Sequence, residues 1–160
     1  MATTGVARAP AAKTTVLGPL ITSSGFKFWY FVCDPECIVA VPQPFLTGIL
    51  LANAQGKHSP FGLAGALLLT FGKRKHEKLV AELQRTSIGP LKLAPNQVFP
   101  ISGLRAILGR PSRLGSGGLF TSDVILEKNN GAKCAFGVST NFLAVCAQLK
   151  QLYPALFLQI

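Results

Sequence analysis

The chain has 160 residues, with sixteen Lys and Arg against six Asp and Glu, a formal charge of +10 and a hydrophobic fraction of 49%; its mean hydropathy is +0.40. That length suits one domain around one core and excludes two well-buried ones. Six carboxylates (Asp34, Glu36, Glu77, Glu82, Asp123 and Glu127) leave little material for acid–base catalysis, while the basic excess favours anionic lipid, nucleic acid or an acidic protein face.

Met1 to Pro19 is rich in Ala, Thr, Gly and Pro without periodicity, and reads as a disordered tail ahead of a single domain at residues 20–160. It lacks the apolar segment of a secretory signal. The four cysteines, Cys33, Cys37, Cys134 and Cys146, are therefore expected as free, packed thiols.

Phe26 to Cys33 is dense in aromatic residues and, with Cys37 to Val41, reads as a hairpin turning at Asp34, Pro35 and Glu36, apolar on both faces. Pro42 and Pro44 are expected to end its second strand. An insertion at about residues 45–86 follows. It comprises an apolar segment from Phe45 to Gly56 and a polar break at Lys57 to Pro60. Last comes a glycine-dotted apolar run from Phe61 that turns at Gly72 into a basic helix. In that helix Leu79, Val80 and Leu83 share one side, and Lys73, Lys78 and Arg85 are left to water.

Thr86 to Asn96, with Gly89, Pro90 and Pro95, reads as a loop. Val98 to Ile101 and Leu104 to Leu108 are strand candidates split by Ser102 and Gly103. A polar loop from Gly109 to Gly118 leads to a strand at Leu119 to Glu127. Asn129, Asn130 and Gly131 then turn it into a partner at Ala132 to Val138. With Gly131 left-handed, Glu127 should face Lys133, Leu126 face Cys134, and Val124 face Phe136, so that charges and apolar residues each meet their kind. Thr140 to Tyr153 places Phe142, Val145, Cys146, Leu149, Leu152 and Tyr153 at helical spacing. Ser139 or Thr140 is available as its cap and Pro154 as its stop. Ala155 to Ile160 is expected to pack as a short extension.

Two groups of strands, a long interruption and a terminal amphipathic helix resemble the element order of a pleckstrin-homology-like (PH-like) barrel. More narrowly, the chain resembles prokaryotic PH-like proteins in which an early strand precedes a Gly/Ala-rich apolar insertion and a basic helix. The matching residues are Ile38 to Val41, Phe61 to Gly72 with Lys73, Arg74 and Lys75 behind, Pro100 to Ser102, and Asn130 with Gly131. The likeness covers about residues 25–153. It implies an α+β fold: a strongly bent antiparallel barrel or sandwich capped by its C-terminal helix, with an apolar helical insertion. One departure is chemical. The first-hairpin loop of phosphoinositide-binding PH domains carries Lys and Arg, whereas here it is Asp34, Pro35, Glu36, so phosphoinositide binding is not carried over.

The candidate contact residues are Phe61, Leu63, Leu67, Leu68 and Phe71 toward a membrane or partner, and Lys73, Arg74, Lys75 and Lys78 toward an anionic surface. Gly62, Gly65 and Ala66 would let a neighbour approach the backbone. The expected role is noncatalytic: a cytoplasmic module peripheral at a membrane surface or bound to a membrane protein. The alternative is a scaffold whose insertion mediates self-association or protein docking. A zinc site would have to draw on Cys33, Cys37, His58 and His76, and the Cys spacing does not favour it. No metal, cofactor or small-molecule substrate is expected. A nucleic-acid partner is disfavoured because the aromatics cluster in an apolar strand and no recognition motif appears.

Overall fold

The computed structural model describes residues 14–22, 27–43, 62–86, 88–93, 96–111, 122–138 and 142–160; for 21–22 and 62–71 it describes the backbone. In chain order the elements are β1 (Thr15–Thr22), β2 (Lys27–Cys33), β3 (Cys37–Gln43), α1 (Gly62–Arg85), α2 (Ile88–Leu93) and β4 (Gln97–Pro100). A 3-10 turn (Ile101–Gly103) leads to β5 (Leu104–Arg110), β6 (Ser122–Lys128), β7 (Lys133–Val138), α3 (Phe142–Leu152) and β8 (Phe157–Gln159). The fold is α+β.

The strands form one sheet in the order β4-β3-β2-β1-β7-β6-β5-β8. It consists of two antiparallel meanders joined between β1 and β7, where, among the described residues, Ile21 pairs with Gly137. Although β4 and β5 lie far apart in that order, only three residues connect them, so the sheet must bend back on itself. Side chains of the two halves then meet face to face. Phe136 of β7 makes edge-on contacts with Trp29 at 6.1 Å, Phe31 at 4.7 Å and Phe99 at 6.2 Å between ring centroids. Leu17, Leu20, Ile38, Ile107, Val124 and Leu126 complete this inner core.

The expected barrel is not closed. β8 pairs in parallel with β5, through Ile107 with Phe157 and Leu108 with Leu158. It thereby occupies the edge of β5 that β4 would need, and β4 and β8 remain as the sheet's edges among the described residues. The final extension is thus a strand. Gly109 makes room for it: a Cβ there would fall 2.9 Å from Cys146 Sγ and 3.0 Å from Phe157 Cζ.

The first hairpin forms as its pattern indicates, with Phe31 opposite Ala40 and Cys33 opposite Ile38. Alternation sends Trp29, Phe31 and Cys33 into the inner core and Tyr30 and Val32 to the other face. The second hairpin has the expected register, Glu127 with Lys133, Leu126 with Cys134 and Val124 with Phe136. Its turn holds Gly131 at φ 83, and Glu127 lies 3.5 Å from Lys133 Nζ and 3.6 Å from Arg105 Nη1. Helix α3 buries Val145, Cys146 and Leu149, and Tyr153 follows as part of the same stripe.

Several expectations need correcting. Strand β1 begins at Thr15, inside the stretch read as tail, because Val16, Leu17 and Leu20 find apolar partners in the two cores. Residues 1–13 lie outside the described residues, as do 44–61 and 112–121. Pro42 does not end β3; it pairs with Trp29. It is tolerated there because β4 covers only Cys37 to Ala40, leaving Pro42 on an edge. The expected loop after α1 contains helix α2. Its Pro90 sits in the first turn, where no intrahelical N–H bond is lost. All four cysteines are free.

The turn between β2 and β3 is tied to the end of α3. Asp34 is buried, and its Oδ1 accepts the backbone N–H groups of Glu36 at 2.8 Å and Cys37 at 2.7 Å. The Tyr153 hydroxyl donates to the Asp34 carbonyl at 2.7 Å. Tyr153→Phe is expected to leave that carbonyl without its partner and to cost about 1–3 kcal/mol, read as a lower urea midpoint with an unchanged slope.

Candidate functional site

Helix α1 runs unbroken for 24 residues, GLAGALLLTFGKRKHEKLVAELQR. The apolar run passes into the basic segment at Gly72 within one continuous helix, where Gly72 is buried. A glycine costs an exposed helix interior about 1 kcal/mol, but Ala, Leu, Lys, Glu and Arg fill most other positions and favour continuation. Thr86 closes the C-terminal end, its N–H and Oγ1 both donating to the Glu82 carbonyl at 3.0 and 2.9 Å.

Gly72, His76, Leu79, Val80 and Leu83 recur at helical spacing, and this stripe is the docked side of the C-terminal half. Leu83 is buried, and Leu79 and Val80 are half-buried against Tyr30, Val32, Cys37 and Val39 on the outer face of β2 and β3. Leu91 and Ile88 of α2, with Val16 and Val41, close the margins of this second core. The helix therefore covers the apolar outer face that the composition of the first hairpin implied.

At the centre of the interface, the Tyr30 hydroxyl and His76 Nδ1 lie 2.6 Å apart, with ring centroids at 5.7 Å. Tyr30 is fully buried, and burial holds its hydroxyl well above the ordinary tyrosine range, so it stays protonated. Burial moves His76 the other way, below its ordinary value, against a smaller opposing influence of Glu77. At neutral pH the tyrosine donates and the neutral imidazole accepts. Neither residue was singled out from the sequence for this role. The signal was present in the phase of His76, which falls in line with Leu79, Val80 and Leu83.

The remaining face of α1 is cationic. Lys73, Arg74, Lys75, Lys78 and Arg85 are exposed, together with Glu77, Glu82 and Gln84. Phe61 lies outside the described residues. Positions 63, 67, 68 and 71 belong to the backbone of α1, and their side chains lie outside the described residues. Elsewhere three carboxylates are engaged: Asp123 pairs with Arg110, Glu127 with Arg105 and Lys133, and Asp34 caps its own turn.

Three of the thiols are weak nucleophiles. Burial pushes Cys33 up to about 12, and it raises Cys37 and Cys146 as well. Cys33 faces the inner core and Cys37 the outer one. Among the described residues no three His, Cys, Asp or Glu side chains are grouped to hold a metal ion. No described helix is long and apolar enough to cross a membrane.

Comparison with protein-family models, with curated proteins and with solved structures returns no match.

Proposed function

We propose that the chain is a noncatalytic PH-like module that adheres to an anionic membrane surface, or to a membrane protein, through α1. The order β4-β3-β2-β1-β7-β6-β5 followed by a terminal helix agrees with the element order of the resembling family, and β8 is an addition to it. One observation carries the reading. On the side of α1 turned from the sheet, Arg74, Lys78 and Arg85 are exposed, and helical periodicity puts positions 63, 67 and 71, Leu, Leu and Phe, in the same line. Along that line the sequence passes from apolar residues to cations, a distribution suited to a lipid interface with the charges among headgroups.

The turn that departs from the lipid-binding pattern is a smaller obstacle than its composition suggests. The Asp34 carboxylate is directed into its own backbone, leaving Glu36 as the exposed acid there. Adhesion is nonetheless assigned to α1, because that turn offers no cation of its own.

Flotation with vesicles of phosphatidylcholine alone and with 30% phosphatidylserine tests the proposal. Binding to the anionic vesicles and weaker binding to the neutral ones are expected. Failure to bind either, by a chain that sediments as a monomer, would overturn it. Concentration-dependent sedimentation without vesicle binding would instead support self-association through the same helix.

A further inference from the structure

The geometry points to a pH-sensitive latch: the Tyr30–His76 hydrogen bond holds α1 on the sheet while the imidazole is neutral, and acidification releases the helix. As regulation of the adhesive face, this rests on the reading of α1 given above; as a property of the α1–sheet interface, it stands alone.

The Tyr30–His76 pair sits in the middle of the docked stripe, between Gly72 and the Leu79, Val80 and Leu83 contacts. It is a polar contact within that apolar interface, at whose margin Thr14 Oγ1 donates to the Gln84 carbonyl at 3.3 Å. Protonation of His76 acts there in two ways. A charge is placed on a ring half-buried against the sheet, and the Nδ1 acceptor becomes a donor, so the buried Tyr30 hydroxyl loses the partner for its proton.

The described surroundings offset that charge only in part. From β2 the titratable group facing His76 is Tyr30. Strand β1, TVLGPLIT, contains no charged residue, and β3 contributes Val39, Val41 and the Cys37 thiol to the interface. Helix α2 contributes Ile88 and Leu91, while its Lys92 lies beside Cys37. On α1 itself Glu77 is adjacent and favours the charged form. Lys73 and Lys75, three residues and one residue before His76, are cationic and oppose it.

The direction follows from linkage. His76 binds its proton less readily docked than free, so the free helix holds more protons and docking strengthens as pH rises. The contribution is complete above the ordinary histidine value of about 6.5. It is lost as pH falls through the lowered value of the docked state, by about tenfold in the docking equilibrium for each unit separating the two.

Amide hydrogen exchange on the full chain between pH 7.5 and 5.0, corrected for intrinsic rates, reads the latch directly. Amides of residues 76–85 are expected to lose protection at pH 5.0, while those of β6 and α3 keep theirs. His76→Gln should abolish the difference, because its amide oxygen accepts the same Tyr30 hydrogen bond and does not titrate. Should that variant fail to fold, the His76 ring titration followed by NMR in the parent chain must give a midpoint below the ordinary value and coincide with the loss of protection. Protection of 76–85 that ignores pH, or that falls only together with β6 and α3, overturns the latch. Flotation of both proteins at the two pH values separates the claims. PH-dependent protection without vesicle binding leaves the latch and removes the adhesive reading, whereas vesicle binding with pH-independent protection does the reverse.

Discussion

Replacing Lys73, Arg74 and Lys78 together with glutamine is expected to lower partition onto anionic vesicles by about two orders of magnitude at low salt. Each basic residue held near such a surface contributes roughly 1 kcal/mol, and about 1.4 kcal/mol corresponds to tenfold. All three side chains are exposed and none belongs to the outer core, so the thermal midpoint should remain within a few degrees of the parent. The same variant should bind neutral vesicles as the parent does, since the apolar contribution is untouched. Because the interaction is electrostatic at the surface, the difference should shrink as salt shortens the screening length to about 3 Å at 1 M. Quantitative flotation across a salt series is the measurement. Parent-like partition by the triple variant at low salt would remove the cations of α1 from the proposal.

The largest loss of stability is expected from Phe136→Ala. Phe136 is buried and touches Trp29, Phe31 and Phe99 edge-on. Its ring is where β7 meets β2 and β4 across the folded sheet. Truncating a buried phenylalanine costs about 3–5 kcal/mol in transfer and cavity terms, and aromatic pairs contribute about 0.5–1.5 kcal/mol beyond area. Ile21 pairs with Gly137 where the halves meet along the backbone, and the Phe136 ring joins them through side chains across the core. Urea unfolding should show a midpoint displaced by more than for any single surface change. A loss below about 1 kcal/mol would mean that the halves are held together elsewhere.

Local pattern made some of these features legible and left others hidden. The β6–β7 register could be read because Asn130 and Gly131 set the turn and Glu127 and Lys133 then had to face each other. The α3 stripe could be read because Phe142, Val145, Cys146 and Leu149 keep helical spacing up to Pro154. The apolar character of both faces of β2 and β3 announced that something must cover the outer one. That α1 does so depends on tertiary contacts between residues far apart in sequence, and His76 gave no composition signal. Strand β8 was equally obscure: three residues after a proline have no periodicity of their own, and they become a strand only because β5 offers an edge. At Gly72 the apolar segment of α1 gives way to the basic one. Sequence contrast there marks a change in what the helix shows to solvent, while the backbone hydrogen bonding continues.

The open edges of the sheet, among the described residues, bear on how so oily a chain meets other copies of itself. An unpaired β edge is a template for another molecule's strand, and the hazard grows with its length. Here the outermost strands are β4, four residues finishing in Pro100, and β8, three residues. The apolar strands β1, β2 and β3 lie inboard of β4. A would-be fibril seed meets stubs at both rims, so the aggregation-prone part of the sequence is sequestered by strand order rather than by dilution with charge.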